Sequence, residues 1–375
     1  MIRLIFASII GFHGAIHAIG FIKEWQLAIA KKITKKRLPS PSETKSKMLG
    51  TWWMIAMLLL LATSIVYVLK TDWWWMLALI AIIISQVLII FYWRDAKAGN
   101  IANIIIFIAI VAAIPAWNFN NMVNREINQM YSKDLPYDKT VISKEMLTGL
   151  PYPVQLWLTK SGIIGKQNMY AVRLKQTGLM RTKPEQDKWI NITATQYFTT
   201  GNPAFIWKAN MKILPLITAT GRDKFVEGKG KMTIKMLSFI TMADDGGEKI
   251  DEGALQRYLA EICWFPSAAL SSNIKWQSID SFSAKATLTY KGSSGTVDFL
   301  FNKEGGLTGC NANRFKGSEV NAARELWQVR TTAFAVINGI RMPIKSDVTW
   351  KLKTGDFTWL KLEITAIEYN KPQLY

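Results

Sequence analysis

Four apolar runs, Leu4–Phe21, Trp52–Leu69, Trp73–Trp93 and Ile101–Trp117, fill the first third of the chain. Each is about as long as a helix needs to cross roughly 30 Å of hydrocarbon at about 1.5 Å per residue. From about Asn118 to Tyr375 the sequence becomes strand-patterned and rich in Lys and Thr. The expected fold is a bundle of four transmembrane α-helices carrying one large α+β domain on one side of a bilayer.

The basic residues say which side. Between the first two runs lie Lys23, Lys31, Lys32, Lys35, Lys36, Arg37, Lys45 and Lys47, against only Glu24 and Glu43. The second gap holds Lys70 and Asp72, and the third holds Arg94, Asp95 and Lys97. Short loops rich in Lys and Arg stay cytoplasmic. Loops one and three are therefore expected inside, and the N-terminus and the large domain outside. Reading Leu4–Phe21 as a cleaved signal peptide would leave three crossings and the same placement of the domain. Against it stand two histidines in the segment and the lack of a small-x-small cleavage site before Lys23.

The whole chain carries 46 Lys and Arg against 27 Asp and Glu, a formal net charge of +19. Beyond residue 120 the balance is 34 basic to 23 acidic, spread along alternating segments rather than gathered in a stripe. That pattern argues against nucleic-acid binding and suits attraction to anionic lipid surfaces. Only two cysteines are present, Cys263 in a helical apolar stripe and Cys310 in the expected turn that begins Gly305-Gly306-Leu307-Thr308-Gly309. Two buried thiols are expected, although a disulfide is open to an extracytoplasmic domain.

Both histidines, His13 and His17, fall in the first apolar run. The outer domain therefore cannot assemble a Ser-His-Asp hydrolase, a Cys-His protease or a His-ligated zinc centre. Carboxylate-pair chemistry remains open. Its candidates, Asp223, Glu227, Asp244, Asp245, Glu248, Asp280 and Asp298, fall at turns or on polar strand faces, where solvated carboxylates usually sit. A non-catalytic domain without metal or cofactor is the expectation.

Three regions follow: a membrane domain over 1–120, a membrane-proximal helical connector over 121–187, and an antiparallel β-rich domain over 188–375. In the connector, Asn121–Ser132 continues the fourth run, and Ser143–Thr148 and Val154–Ser161 read as short helices among Pro136, Pro151 and Pro153. From Lys188 the period becomes two. In Ala204–Ile213, Phe205, Trp207, Ala209, Met211 and Ile213 share one face, with Lys208, Asn210 and Lys212 on the other. Met232–Ile240, Ala284–Tyr290, Val297–Phe301, Trp327–Ile337, Val348–Leu352 and Leu360–Ala366 alternate likewise. Turns at Gly228–Gly230, Lys291–Gly295, Asn338-Gly339 and Thr354–Asp356 separate them, as in a meander of some eight to ten strands. One amphipathic helix interrupts them near 252–265, with Asp251 as its expected cap and Pro266 ending it. One helix cannot cover a flat sheet of that size. The sheet must curl into a half-barrel or barrel with the helix packed on its concave face.

The stretch Ala254–Leu270 (ALQRYLAEICWFPSAAL) resembles the central signature of a bacterial family catalogued only as a domain of unknown function. Gly339–Pro343, Trp350–Leu352 and Ile367–Asn370 resemble that family's C-terminal pattern. His13–Gly20, Ser85-Gln86 and Trp93–Lys97 resemble the membrane half of many members. The resemblance spans nearly the whole chain and implies a multi-pass protein of the bacterial inner membrane with its C-terminal domain in the periplasm. It implies no activity. The strand-helix-strand order also resembles, in pattern alone, the outer-membrane lipoprotein carriers, and no carrier residue maps onto a position here.

Two functional expectations result. In the first, the outer domain binds a lipid, a lipidated protein or another apolar ligand without transforming it. Trp207, Met211, Met232, Met236, Trp264 and Phe265 would line the site, since Met and aromatic side chains suit irregular acyl groups. In the second, the outer domain is an envelope sensor or assembly scaffold and the membrane bundle is the working part. His13 and His17 would share one helix face, about 6 Å apart, with Ser85, Gln86 and Asp95 as the other polar residues of the membrane site. The alternative for these histidines is a polar seam, hydrogen-bonded to Ser85, Gln86 or Asn103 across the bundle.

Overall fold

A computed structural model of the chain describes residues 2–26, 43–132, 138–214 and 217–375. It divides into two compact units, 1–119 and 120–375. The basic cluster Lys31–Arg37 and Pro136 lie outside the described residues.

The first unit consists of helices α1 (Ile2–Glu24), α2 (Glu43–Val68), α3 (Trp74–Phe91) and the first turns of α4 (Gly99–Ser132), with one further turn at Trp93–Ala96. All four long helices are long and apolar enough to cross a membrane. Their packing is the reverse of a water-soluble bundle. Large residues such as Phe12, Leu58, Ile83, Ile90 and Phe107 point outward, while Ala56, Ala78 and Ala81 are fully buried. Between helices in lipid, close approach of small residues supplies the packing. A Cβ on Gly14 would meet Leu60 Cβ at 2.9 Å, and one on Gly20 would meet Trp53 at 2.4 Å.

The second unit is one antiparallel sheet of thirteen strands. Six precede the central helix: β1 (Ala171–Met180), β2 (Ile190–Thr199), β3 (Ala204–Lys212), β4 (Thr218–Val226), β5 (Lys229–Met236) and β6 (Ile240–Gly246). Seven follow it: β7 (Ile274–Asp280), β8 (Ser283–Tyr290), β9 (Ser293–Phe301), β10 (Leu307–Phe315), β11 (Arg324–Ile337), β12 (Ile340–Leu352) and β13 (Gly355–Tyr369). The order is β6-β5-β4-β3-β2-β1-β13-β12-β11-β10-β9-β8-β7. Each half is a meander, and the halves join where β1 pairs with β13. Helix α5 (Tyr152–Ser161) precedes the sheet, and α6 (Glu248–Glu261) links one edge strand, β6, to the other, β7.

That link dictates curvature. Laid flat at about 4.8 Å per strand, the two edges would stand nearly 60 Å apart. A helix of 14 residues spans only about 21 Å. Yet α6 packs against β4, β5 and β6 on one side and β8, β9 and β10 on the other. The sheet therefore curls around the helix and remains unclosed, a half-barrel. The β4–β5 and β8–β9 hairpin tips meet across the opening, where Ser293 Oγ donates to Gly228 O at 2.7 Å and Lys291 pairs with Glu227.

Several expectations need correction. The sheet has thirteen strands rather than eight to ten, and β1 lies inside the stretch expected to be a helical connector. Arg173, Lys175 and Gln176 break the apolar alternation of β1, and Asn311, Asn313 and Arg314 break that of β10. Cys310 belongs to β10 rather than to a turn, and both cysteines are free and buried. The expected Met232–Ile240 strand is interrupted by a turn at Leu237-Ser238, both in the left-handed region. Asp251 does not cap α6, which starts three residues earlier after Gly247. Its carboxylate instead accepts from Gly230 N at 2.7 Å and pairs with Lys229 at 2.9 Å, fixing the β4–β5 turn to the helix.

Candidate functional site

The concave face of the half-barrel carries a polar network inside an otherwise apolar core. Arg257 and Glu261 are one turn apart on α6 and pair at 2.9 Å, and Arg257 also reaches Asp223 of β4 at 2.6 Å. Gln196 of β2 donates to Glu261 at 2.6 Å, and Trp207 Nε1 of β3 donates to Gln176 of β1 at 2.9 Å. The Arg257 guanidinium lies 4.9 Å from the Trp207 ring centroid. Burial pulls Arg257 down, but Glu261 and Asp223 outweigh it and hold the group above its ordinary value. Burial pushes the Glu261 carboxyl up, with Arg257 opposing. The side chains of Arg257, Asp223 and Glu261 nevertheless keep 17%, 14% and 12% of their surface accessible.

Arg314 of β10 faces the same interior. Its guanidinium sits 5.1 Å from the Trp327 ring centroid, and Gly253 of α6 makes room for it, since a Cβ there would lie 3.0 Å from Arg314 Nε. Unlike Arg257, it has no ion pair or hydrogen bond among the described residues. Burial pulls it down to about 10. Asp223, Glu261 and Glu252 oppose that shift from a distance, but none pairs with it, and a desolvated guanidinium gains from an anion in direct contact.

The strand register gathers four of the six expected ligand residues here. Trp207 and Met232 flank Asp223 on neighbouring strands, and Met211 and Met236 flank Ala219 in the same way. Trp264 and Phe265 lie elsewhere, in the packed core beyond the helix. Trp264 Nε1 donates to Pro343 O at 3.1 Å, and Phe265 packs between Phe198 and Tyr258 with ring centroids 4.7 and 5.8 Å away. Of the other carboxylates singled out, Asp244 pairs with Lys231, Asp245 accepts from Ser318, and Asp280 accepts from the Phe282 amide.

A second, polar cleft of about 310 Å³ opens where β9 and β10 separate beyond the Asp298–Asn311 pair. Gln256 of α6 fills the break, its Nε2 donating to Thr296 O at 3.4 Å and Asn313 O at 3.2 Å. Gln256 Oε1 and Asp298 Oδ1 are buried there without partners.

In the first unit the structure joins His13, His17, Ser85 and Gln86 through Asn103. His13 Nε2 lies 2.9 Å from Asn103 Oδ1, and His17 Nε2 lies 2.9 Å from Ser85 Oγ. Asn103 Nδ2 donates to Gln86 at 3.1 Å. Asp95 stands apart, exposed and paired with Lys23 at 2.9 Å.

The sequence reading passed over Arg257, Glu261, Arg314, Gln176 and Gln196. A signal existed for two groups. Arg257 and Glu261 stand four apart on an apolar helix, and Arg314 continues the inward register of Cys310 and Ala312.

A family model described as a family of unknown function (DUF6920) matches residues 148–369, which include the Ala254–Leu270 signature and the C-terminal pattern as far as Tyr369. Among solved structures, the chain is similar to a beta-barrel-like protein of a domain of unknown function, DUF1849, from Brucella abortus. The two are 8% identical, with a TM-score of 0.23, over 54% of this chain and 99% of that one. No curated protein matches the chain.

Proposed function

The chain belongs to this family of unknown function, DUF6920, and from that premise we propose that it is a membrane-anchored binding protein for an amphipathic anion. The ligand is a lipid or lipidated protein, and it is bound without being transformed. Its anionic group meets Arg314, and its apolar part runs along Trp207, Met211, Met232 and Met236. The observation that carries this reading is the Arg314 guanidinium, half-buried on the concave face and making no ion pair or hydrogen bond among the described residues, with Asp223, Glu261 and Glu252 acting on it only from a distance. The excess of 34 basic over 23 acidic residues beyond position 120 favours anionic ligands at longer range. The positive-inside reading of the loops supports a domain outside the cytoplasm, in the periplasm of a bacterial cell.

Native mass spectrometry of the full chain released from detergent, with Arg314→Met beside it, tests the reading. The expected result is co-purified anionic lipid on the parent protein and loss of it from the variant. The variant breaks no ion pair or hydrogen bond among the described residues, so it should fold and melt close to the parent. A parent protein that emerges empty, or a variant that keeps its lipid, overturns the reading.

A further inference from the structure

The hydrogen atoms of the bundle network do not balance when both histidines are neutral. His17 Nδ1 lies 2.8 Å from His13 O, a carbonyl that can only accept, so Nδ1 carries a hydrogen. A neutral His17 then needs a donor at Nε2, and the Ser85 hydroxyl is the group there at 2.9 Å. Ser85 has one hydrogen, and its Oγ also lies 3.2 Å from Asn103 Oδ1, a second acceptor. One of the two contacts is left with lone pairs facing each other. Adding a proton to His17 Nε2 removes the conflict. His17 donates to Ser85, Ser85 donates to Asn103 Oδ1, His13 Nε2 donates to the same oxygen, and Asn103 Nδ2 donates to Gln86.

A neutral arrangement also closes, by a different geometry. If the Asn103 amide turns over, its nitrogen has two hydrogens to give, one to His13 Nε2 and one to Ser85 Oγ. Ser85 then donates to His17 Nε2, and the Gln86 amide turns to donate to Asn103 Oδ1. Both arrangements satisfy the contacts named so far and differ by a single proton; the contact of Ser85 Oγ with His13 Nε2 at 3.4 Å is met only in the protonated one, where His13 Nε2 carries a hydrogen. We propose that the bundle holds a one-proton binding site on His17, coupled to the tautomer of His13 and to the orientation of the Asn103 and Gln86 amides. On proton uptake His17 gains a hydrogen at Nε2, His13 exchanges its hydrogen from Nδ1 to Nε2, and the two amides reverse. No other atom is gained or lost.

The surroundings favour a single titrating unit. The His13 and His17 rings meet edge to face at 4.7 Å, and Trp53 of α2 covers His17 at 5.0 Å. From α3 the network is faced by Ser85 and Gln86, and from α4 by Asn103 and by Gly99, where a Cβ would lie 3.4 Å from His13 Cε1. Of the charged groups at this end of the helices, Lys23 pairs with Asp95 and Glu24 accepts from Ser46, while Arg94 is exposed. Each network residue is buried apart from Gln86, which is half-buried. A buried polar site in a span is expensive unless it serves a purpose such as this.

The test is the nitrogen NMR spectrum of histidine-labelled full-length protein in lipid nanodiscs, recorded between about pH 4 and pH 9. The expected result is one transition in which His17 passes from one N–H to two while His13 changes tautomer at the same midpoint. Asn103→Asp offers acceptors only, so it should raise that midpoint by about one pH unit or more. Asn103→Leu should uncouple the two rings. A His13 tautomer that stays fixed while His17 titrates, or a His17 that never titrates, overturns the proposal, and the parent protein alone decides this if the variants fail to fold.

Discussion

The two units solve the burial of polar groups in opposite ways. The bundle hides hydrogen-bonding side chains, His13, His17, Ser85 and Asn103, with no carboxylate among them, and turns its large apolar residues outward. The half-barrel buries its aromatics and encloses full charges, Arg257, Glu261 and Asp223, at the centre of the curl. The surroundings explain the difference. Lipid contributes no hydrophobic drive between helices, so the bundle relies on close packing of small residues and on interhelical hydrogen bonds. Water drives the sheet to bury Phe198, Phe205 and Phe265. The charges then retained inside must be paired, at a desolvation cost recovered only when the geometry is good.

The largest test of this contrast concerns topology. Alkaline phosphatase fused after Tyr375 should be active, and the same reporter fused after Lys36 inactive, because eight basic residues oppose translocation of the first loop. The opposite pattern would undo the assignment of the two solvents. Next in size is Arg257→Leu, which strands Asp223 and Glu261 in the curl and should cost about 3–5 kcal/mol in chemical denaturation of the β unit. The same truncation placed in each unit gives the sharpest comparison. Phe265→Ala, in the β core, should cost about 3–5 kcal/mol. Phe12→Ala, on the outer face of α1, should change stability by no more than about 0.5 kcal/mol. Equal costs would mean that the bundle's outer face is not facing lipid. The smallest effect concerns the thiols. Burial raises both, Cys310 up to about 12, so neither is a thiolate at neutral pH. Alkylation followed by mass spectrometry should label them only after unfolding.

Legibility followed the range of the interaction. The bundle was readable because an apolar run of 18 residues or more carries its own reason to be a helix. Strands β3, β8 and β9 were readable because one face is apolar and the other wet. β1 and β10 were not, because Gln176 and Arg314 point inward toward partners on other strands or toward the interior, and their polarity masks the period. Asp251 misled for the same reason: a carboxylate near a helix start suits a cap, and only the neighbouring hairpin shows that it serves Lys229 and Gly230. In the membrane site, four-residue spacing put His13 and His17 together, while Asp95 was drawn away by Lys23 on another helix.

The sequence by itself determined the number of long apolar helices, the loops that carry basic charge, and an antiparallel sheet with one helix to curl around. Those properties rest on run length, charge placement and period, which a segment possesses without its partners. Only the tertiary structure decided that the edges stay unpaired, that the β4–β5 and β8–β9 tips meet, and that Trp207 and Met232 flank Asp223. It alone left Arg314 without an ion pair among the described residues and set Ser85 between two acceptors. These depend on residues tens of positions apart arriving at one place, and desolvation and hydrogen-bond counting are properties of that place rather than of any segment.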